Sequence, residues 1–527
     1  MHIDTNKEII KELFEKENPT PNDLASAKRK ISKKYNTPCP NNIILLKVYH
    51  DLIKNKSFEK NNNIENVLKT RPIRSLSGVI NVSVLTKPYS CPGTCTFCPN
   101  EENIPKSYLS GEPAVERAKR LKFNPYVQVK KRIEVLESGG HNAEKIDLRI
   151  LGGTWSYYND KYKIWFVTQC FAACNGKLFR KEIYSKKTIS QLYSDLEIEQ
   201  EINRTAKYRI IGLSFETRPD YIDDKEIFQM RRLGATKIEI GVQSLYDDVL
   251  KKTKRGHDIK KTIEATLLLK NAGFKVSYQL MLNLPNSNIK KDLEMFEELF
   301  ESDNFKPDYL KIYPLALVKN SELYKDYLKK KYKPYTEREL IDLIKSIKKI
   351  IPEYTRIERI IRDIPAPLIV EGGSRSSNLR QIIDKEIAQE GWKCNCIRCR
   401  EIRDQKQNPE LKMFRKNYSA QKGKEIFLSF KDVNEENLYS MLRLRINPDN
   451  SAMIREVHTY GESKKISEPG LVQHKGLGKA LISEAENIAK NEYHSPKIFV
   501  ISGVGVRDYY AKLGYRLENY YMVKDLD

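Results

Sequence analysis

Residues 79–98 read VINVSVLTKPYSCPGTCTFC, an apolar, β-branched run that ends in three cysteines. The run predicts a strand, so Cys91, Cys95 and Cys98 would share one loop at its carboxyl end. Three thiolates at a C-x3-C-x2-C spacing can hold three irons of a four-iron cluster and leave the fourth iron open. Structural zinc usually takes four protein ligands, and this loop has no obvious fourth. The spacing therefore favours an iron-sulfur cluster, with a zinc loop as the alternative.

Downstream of this loop, short β-branched runs alternate with longer amphipathic segments. Strands that alternate with helices predict βαβ units and a parallel sheet, so the fold class is α/β, with the sheet curled into a full or partial barrel. In such barrels the carboxyl ends of the strands carry the site. The predicted strands lie in KIDLRILGG, YRIIGLSFE, TKIEIGVQS, KVSYQLMLN and DYLKIYPLAL.

The last block of the chain predicts a second mixed α/β domain. It reads as the strand EIFLSF, the helix NEENLYSML, the strands RLRI and AMIREVHTYG, the helix LGKALISEAENIAKN, the strand KIFVISG, the helix VRDYYAKLG and a final strand. Residues 473–479, QHKGLGK, open its long helix. Backbone amides at a helix start, unobstructed because of glycine, suit a pyrophosphate. Glycine is common at helix starts, so this motif alone is weak.

Two further groups of cysteines differ in character. Cys394, Cys396 and Cys399 lie within six residues, which favours a structural zinc between two domains with a fourth ligand from elsewhere. A reduced surface cysteine group and a second iron-sulfur cluster remain alternatives. Cys170 and Cys174 lie four apart on a helical segment among apolar residues, so we expect core cysteines there.

The charge balance indicates an anionic partner. The 527 residues contain 93 Lys and Arg against 70 Asp and Glu, a formal net charge of +23, which suits nucleic acid or phosphate-rich cofactors. No long apolar stretch or signal peptide is evident, so we expect a cytoplasmic protein in a reducing compartment, without a membrane. The first 75 residues predict a basic helical module, which is either a nucleic-acid-binding surface or a solvated helix face. Its basic residues are Lys28, Arg29, Lys30, Lys33 and Lys34.

The first cysteine loop, with Phe97 just before the last cysteine, resembles the radical S-adenosylmethionine superfamily. That resemblance implies a [4Fe-4S] cluster on Cys91, Cys95 and Cys98 whose open iron binds S-adenosylmethionine. It also implies that a glycine turn and polar residues at strand ends surround the cofactor. The matching residues are Gly152, Gly153, Glu216, Arg218 and Gln243.

The C-terminal block resembles the GNAT acetyltransferases. The resemblance is carried by Q-x-x-G-x-G over residues 473–478 and by KIFVISGVGVRDYYAKLGYR over residues 497–516. It implies an acetyl-CoA loop and a tyrosine near the thioester that orients it or acts as an acid. Packing alone is the fair reading for Tyr509, so we assign that role to Tyr510.

Together the two halves resemble the catalytic subunit of Elongator, a tRNA acetyltransferase of the wobble uridine. Motifs in the same order include KSYLSGEPAVERA, GLSFETRPDY, IEIGVQSLYDDVLKKTKRGH and ISGVGVRDYY. The resemblance implies carboxymethylation at C5 of uridine from acetyl-CoA by S-adenosylmethionine radical chemistry, with Lys145 and Tyr510 as catalytic residues. The acetyl-CoA contacts that it implies are Lys145, Glu456, Val457, His458, Thr459, Leu477, Gly478, Lys479 and Tyr510.

The predicted organisation has four parts. These are the basic helical module (1–75), the radical domain (76–384), a Cys-rich zinc linker (385–412) and the acetyltransferase domain (413–527). The chain has all three cysteines of the second cluster, so it resembles the stand-alone bacterial, archaeal or viral forms of the family. This resemblance argues against a need for accessory Elongator subunits. Whether the protein forms a homo-oligomer is left open by the sequence. The alternative functions are a protein lysine acetyltransferase with a structural iron-sulfur cluster and a non-catalytic tRNA-binding scaffold, although a scaffold does not need an open iron.

Overall fold

The N-terminal module is a small helical bundle with its own core. The computed structural model describes residues 4–71, 75, 77–178, 184–403, 409–461 and 476–526, so residues 473–475 of the predicted pyrophosphate loop lie outside the described residues. Apolar side chains such as Ile10, Leu13, Leu46 and Leu52 form the core of the bundle. Its helices are α1 (Thr5–Phe14), α2 (Pro21–Lys34), α3 (Asn42–Lys54) and α4 (Asn62–Leu68).

The centre of the molecule is an open half-barrel of parallel strands, as the sequence predicts. Its strands pair in the order β1-β2-β3-β4-β5-β6-β8, so β1 and β8 form the two edges. Every pair in this sheet is parallel. The strands are β1 (Ile80–Leu85), β2 (Lys145–Leu151), β3 (Arg209–Thr217), β4 (Lys237–Gln243), β5 (Lys275–Leu282), β6 (Tyr309–Pro314) and β8 (Arg356–Arg359).

Helices connect these strands and cover the outer face of the sheet. A two-stranded antiparallel ribbon, β7 (Ala316–Val318) with β9 (Ile369–Gly372), extends beyond β6. Cys170 and Cys174 lie on α7 and are buried in the main core, which confirms the prediction of core cysteines. The helices are α5 (Pro113–Arg120), α6 (Pro125–Ser138), α7 (Asp160–Cys174), α8 (Ile189–Asn203), α9 (Asp224–Arg232), α10 (Asp247–Lys252), α11 (Ile259–Asn271), α12 (Ile289–Glu301), α13 (Leu323–Leu328), α14 (Glu337–Ile350), α15 (Leu379–Gln389) and α16 (Ile397–Arg400).

The C-terminal part is a second sheet in the order β10-β11-β12-β13-β14-β16-β15, in which only β13 and β14 pair in parallel. It packs against α17, and a separate apolar core lies between them. Its elements are β10 (Leu411–Ala420), β11 (Gly423–Asp432), β12 (Leu438–Ile446), β13 (Ala452–Thr459), α17 (Leu477–Asn487), β14 (Lys497–Val500), α18 (Arg507–Ala511), β15 (Arg516–Glu518) and β16 (Tyr521–Asp525).

Two local predictions in this sheet were wrong. The segment NEENLYSML was predicted as a helix, but Leu438–Ile446 is the buried strand β12. Pairing with β11 on one side and β13 on the other outweighs the helical pattern, because strand preference depends on tertiary surroundings. Strand β10 was not anticipated, since most of its side chains are exposed and its pattern is not that of a core strand.

A buried set of charges joins the half-barrel to the C-terminal sheet. Asp308, just before β6, pairs with Arg455 and lies 3.7 Å from both Arg443 and Lys270. Glu425 of β11 accepts hydrogen bonds from Arg455 at 2.9 Å and lies 3.4 Å from Lys270. We call these five residues the junction cluster.

No helix in the described part of the chain has both the length and the apolar composition needed to cross a bilayer.

Candidate active site

The first cysteine loop lies where sequence predicts it, after β1 at the carboxyl end of the half-barrel. Backbone hydrogen bonds anchor the loop, since Thr96 donates to Thr253 at 3.0 Å and accepts from Leu323 at 2.8 Å. Cys95 is buried, whereas Cys91 and Cys98 are half-buried. Burial raises the pKa of the Cys98 thiol to about 12. A bound metal ion would favour the thiolate form of this cysteine.

Two arginines surround this loop and fit a negatively charged metal cluster. Arg255 donates to the Cys95 sulfur at 3.4 Å. Arg218 donates to Asp220 at 2.9 and 2.8 Å, but its Nη1 is buried without an acceptor among the described residues. A methyl group at Gly93 would lie 2.2 Å from that nitrogen, so a side chain there would displace this guanidinium group. The residues present thus suit a cysteine-held iron-sulfur cluster, whose sulfurs accept such hydrogen bonds.

The glycine turn after β2 and the end of β4 line the same cavity as the cysteine loop. Gly152 and Gly153 have φ values of +132° and +94°, which glycine adopts readily. A methyl group at Gly152 would lie 1.8 Å from the Thr86 hydroxyl, whereas one at Gly153 would meet only Lys106 O at 3.6 Å, so Gly153 borders open space. Gln243 is buried with a φ of +72°, a strained conformation for a side chain and one often found at functional sites.

Glu216 is held at the carboxyl end of β3 by three donors. Tyr108 donates to it at 2.8 Å, Gln279 at 3.2 Å and Lys311 at 3.3 Å. Burial, followed by the Glu216 charge, raises the pKa of Tyr108 well above its ordinary value, so Tyr108 remains a hydrogen-bond donor. Glu216 is therefore fixed in orientation at the wall of the half-barrel.

One cavity of about 850 Å³ contains the cysteine loop, Glu216, Gln243 and the interior of the half-barrel. It continues to Arg356, Arg398 and Tyr460, where the half-barrel meets the C-terminal sheet. Eleven arginines and two lysines line it against five carboxylates. A cavity with this excess of positive charge suits a polyanion.

A ladder of alternating charges crosses the interior, and sequence reasoning missed it. Lys311 bridges Glu216 and Glu239, and Lys237 lies 3.0 Å from Glu239 and 2.9 Å from Glu358. Arg149 closes the ladder at 3.2 Å from Glu358. The available signal was the alternation within strands, as in KIDLRIL, where the charged positions face the interior and the apolar ones face the helices.

Three of the predicted acetyl-CoA residues, Val457, Thr459 and Gly478, meet at the end of β13 and the start of α17. Strand β14 pairs with β13 only along residues 452–454, so the edge of β13 beyond them has no β14 partner. A methyl group at Gly478 would lie 3.7 Å from the Thr459 hydroxyl and 3.9 Å from Val457. Helix α17 follows Gly476, whose φ is +79°. Among the described residues, a helix start thus lies beside a strand edge that β14 does not pair with, which suits a phosphate group followed by an extended amide chain.

The two tyrosines of α18 have different surroundings. Tyr510 is 7% exposed and packs in the C-terminal core against Tyr515, and burial raises its pKa. Tyr509 is 44% exposed, and its hydroxyl would lie 3.7 Å from a methyl group at Gly478. Sequence reasoning set Tyr509 aside as a packing residue, yet its hydroxyl is the one beside the helix start. The catalytic role of Tyr510 stays a prediction.

The other predicted acetyl-CoA residues point in several directions. Glu456 accepts from Arg443 at 2.9 Å and from Tyr309, so it faces the half-barrel. Burial lowers the pKa of His458 to about 4, and its ring packs against Tyr460. Leu477 is half-buried and Lys479 is exposed at the start of α17.

Lys145 lies at the amino end of the half-barrel. It opens β2 beside Arg209, and burial and the Arg209 charge lower the pKa of its amine. A methyl group at Gly505 would lie 2.6 Å from Arg209 Cβ. The segment between β14 and α18 therefore packs against these strand ends.

The second cysteine group is compact. The ligand atoms of Cys394, Cys396 and Cys399 all lie within 4.8 Å of one another, and no fourth His, Cys or carboxylate among the described residues joins them. Hydrogen bonds from Cys394 and Cys399 lower the pKa of the Cys396 thiol well below its ordinary value. Lys348 lies 3.8 Å from Cys399 and donates to Asp384 at 2.6 Å. The group offers three ligands for one ion.

The basic residues of α2 are partly neutralised within the N-terminal module. Lys28 donates to Asn42 at 2.5 Å. Lys30 lies 3.2 Å from Glu12, and Lys34 lies 3.6 Å from Glu8. Helix α1 therefore relieves much of the like-charge repulsion that the sequence pattern predicts. The other two basic residues, Arg29 and Lys33, are exposed.

Comparisons with known proteins agree with this architecture. The family model of the radical SAM superfamily matches residues 86–299, and that of the radical SAM C-terminal domain matches residues 307–389. A "tRNA uridine(34) acetyltransferase" of Methanocaldococcus jannaschii is 43% identical over 88% of this chain and 87% of its own length. "Elongator complex protein 3" of Schizosaccharomyces pombe is 36% identical over 98% of this chain and 97% of its own length. The solved structure of the archaeal Methanocaldococcus infernus Elp3 with an N-terminal deletion has a TM-score of 0.73, with 40% identity over 85% of this chain and 100% of that one.

Proposed function

This chain belongs to the family of tRNA uridine(34) acetyltransferases and Elongator complex protein 3, and from that membership we propose that it modifies uridine 34 of tRNA. The proposed product carries a carboxymethyl group at C5, built from acetyl-CoA by S-adenosylmethionine radical chemistry. The observation that carries the proposal is the single cavity that contains the three loop cysteines and thirteen basic residues against five acidic ones. A modification at a base carbon needs both a reactive centre and a site for the polyanion.

The residues of the half-barrel would hold the cofactors and position the base. Cys91, Cys95 and Cys98 would bind the [4Fe-4S] cluster, and Arg218 and Arg255 would stabilise its charge. When bound, the cluster and S-adenosylmethionine supply radical chemistry. Residues at the glycine turn and the strand ends would surround the S-adenosylmethionine region. These residues are Gly152, Gly153, Glu216, Arg218 and Gln243.

The C-terminal sheet would act as a GNAT-type domain that binds the acetyl donor. Amides at the start of α17 would hold the pyrophosphate, and the edge of β13 that β14 does not pair with would pair with the extended chain of coenzyme A. The start of α17 is supplied by Leu477, Gly478 and Lys479, and the strand edge by Glu456, Val457, His458 and Thr459. Lys145 and Tyr510 keep the catalytic roles that the resemblance implies, although it is the Tyr509 hydroxyl that lies beside Gly478.

We propose the same four-part division as the sequence predicts, with the first boundary at 75. The predicted boundaries at 384 and 412 fall inside α15 and β10, so we move them to the end of α15 and the start of β10. Separate apolar cores in the N-terminal bundle and the C-terminal sheet support this division.

Cys394, Cys396 and Cys399 would bind zinc with a fourth ligand not yet identified. Metal analysis of the purified protein tests the zinc assignment, because a protein that contains no zinc would contradict it. The basic residues of the N-terminal module would contact tRNA in the cytoplasm.

The decisive experiment is mass analysis of tRNA nucleosides. The protein is incubated anaerobically with tRNA, acetyl-CoA and S-adenosylmethionine, and carboxymethyluridine at position 34 is the expected product. The alternative, a protein lysine acetyltransferase with a structural cluster, predicts acetyl transfer to a peptide without S-adenosylmethionine. A tRNA-binding scaffold predicts no product in either assay.

A further inference from the structure

Three arginines from three different elements meet near the second cysteine group. Arg356 begins β8, Arg380 lies on α15 and Arg398 lies on α16 between Cys396 and Cys399. Arg356 and Arg398 line the cavity. Both Arg356 and Arg380 lie close enough to Arg398 for their charges to oppose its own. We call these three residues the arginine cluster.

The contacts of the arginine cluster leave its charge largely uncompensated. Arg356 lies 2.7 Å from Glu401, which also has Arg403 at 3.9 Å. Arg380 and Arg398 instead donate to backbone carbonyls, of Ile357 at 3.1 Å and Glu358 at 3.4 Å. Among the described residues, Glu401 pairs with Arg356, and no carboxylate forms an ion pair with Arg380 or Arg398. Like charges gathered at a cavity wall are unfavourable unless an anion joins them.

Unused hydrogen-bond donors point to the same conclusion. The Nη1 atoms of Arg356 and Arg380 are buried and have no acceptor in the described part of the chain. Buried polar groups are nearly always paired, so an unpaired donor calls for a missing partner. The Tyr460 ring lies 5.9 Å from the Arg356 guanidinium and lines the same end of the cavity. The missing partner is therefore an acceptor, and the surrounding charge makes it an anion.

We propose that the arginine cluster binds a phosphate group of the RNA backbone. A guanidinium group can bind phosphate through two parallel hydrogen bonds, whereas the ammonium group of a lysine acts as a single point charge. Several converging arginines therefore suit a phosphate ligand. The same cavity continues to the cysteine loop, whereas the candidate pyrophosphate site of the acetyl donor lies at the start of α17. A phosphate held here would place the RNA backbone near the end of β13, because Tyr460 lines this part of the cavity and directly follows Thr459. This site rests on the proposed function, since it takes its ligand from the substrate.

The test compares Arg356→Gln, Arg380→Gln and Arg398→Gln with Arg338→Gln. Arg338 is an exposed arginine of α14 that pairs with Asp342 and Glu386, so it is a matched control. Binding of tRNA and of acetyl-CoA is measured for the full-length proteins over a range of salt concentrations. Each cluster variant should lose about tenfold in tRNA affinity at low salt, with the slope of log affinity against log salt smaller by roughly 0.7–0.9. Arg398→Lys should recover part of the affinity, and acetyl-CoA binding should be unchanged.

The outcomes separate the possible sources of the phosphate. Curves for all three variants that overlay Arg338→Gln overturn the proposal. A fall in acetyl-CoA affinity with unchanged tRNA affinity also overturns it, because the phosphate would then belong to coenzyme A. If Arg398→Gln disturbs the neighbouring cysteine group, as its metal content and thermal unfolding would reveal, the variants on β8 and α15 decide the question. If the variants lose tRNA binding while the parent protein forms no carboxymethyluridine, the phosphate site stands and the proposed function fails.

Discussion

Asp308→Asn should loosen the attachment of the C-terminal sheet to the half-barrel. The Asp308 carboxylate is completely buried, accepts from Arg455 at 3.0 Å and from the Val276 amide at 2.8 Å, and lies 3.7 Å from Arg443. Asparagine keeps the size of the side chain and an oxygen for the Val276 amide. It removes the negative charge, so Glu425 becomes the one remaining carboxylate of the junction cluster. The cluster still contains three positive charges, from its two arginines and Lys270.

The expected loss follows from the burial of these charges. Removing one partner of a buried ion pair costs about 3–5 kcal/mol, because the other partner stays charged and uncompensated. Burial alone would raise the pKa of Asp308, but the charges of Arg455, Lys270 and Arg443 outweigh it and hold the pKa well below its ordinary value. A lowered pKa in the folded state contributes stability above the unfolded pKa of about 3.9, and this is lost as pH falls below it. The difference between the parent and Asp308→Asn should therefore be full at pH 7 and shrink in acid.

Urea unfolding, followed by a probe in each domain, measures this effect, since a protein of this size need not unfold in one step. Asp303→Asn is the matched control, because Asp303 is 58% exposed and pairs only with Lys306 among its described ion pairs. An exposed pair of this kind is worth about 0–1 kcal/mol. Arg443 also binds Glu456, so Asp308→Asn should weaken acetyl-CoA binding as well. Equal urea midpoints for the two variants at pH 7 would refute the account of the junction cluster.

Four further predictions address the separate sites. Cys91→Ser should abolish cleavage of S-adenosylmethionine while the protein stays folded; production of 5′-deoxyadenosine at the parent rate would show that the cluster assignment is wrong. Gly478→Ala should keep acetyl-CoA affinity within a few-fold, since its methyl group meets atoms only at 3.7 Å and beyond, whereas Gly478→Glu should block binding through bulk and like charge. Tyr510→Phe should reduce turnover more than acetyl-CoA binding, with Tyr509→Phe as the comparison, and the reverse pattern would move the catalytic role to Tyr509. In the N-terminal module, replacing basic residues with alanine should weaken tRNA binding most at low salt and flatten its salt dependence, and binding curves that overlay the parent would identify a solvated face. The residues to replace are Lys28, Lys30, Lys33 and Lys34, with Arg29 as an added exposed site.

Local sequence was sufficient for the features that depend on neighbours in the chain. The cysteine loop after the first strand, the glycine turn at 152–153 and the alternation of strands with helices were each predicted, and the structure contains them. The cluster that the cysteine spacing predicts stays a prediction. These features can be predicted from the sequence because a loop, a turn or a strand is specified mainly by residues close to one another in the chain. The family resemblance was likewise readable from ordered motifs, and the relatives agree with it.

Only the tertiary structure decided which distant residues meet. The charge ladder brings together side chains from five strands, and each appears in the sequence as an ordinary alternation. Strand β12 was read as a helix because its pairing with β11 and β13 is invisible from its own residues. Tyr509 and Tyr510 are adjacent in sequence, yet one hydroxyl lies by Gly478 and the other ring is buried in the core. Periodicity fixes which face of an element a residue occupies, but the packing of whole elements determines what that face meets.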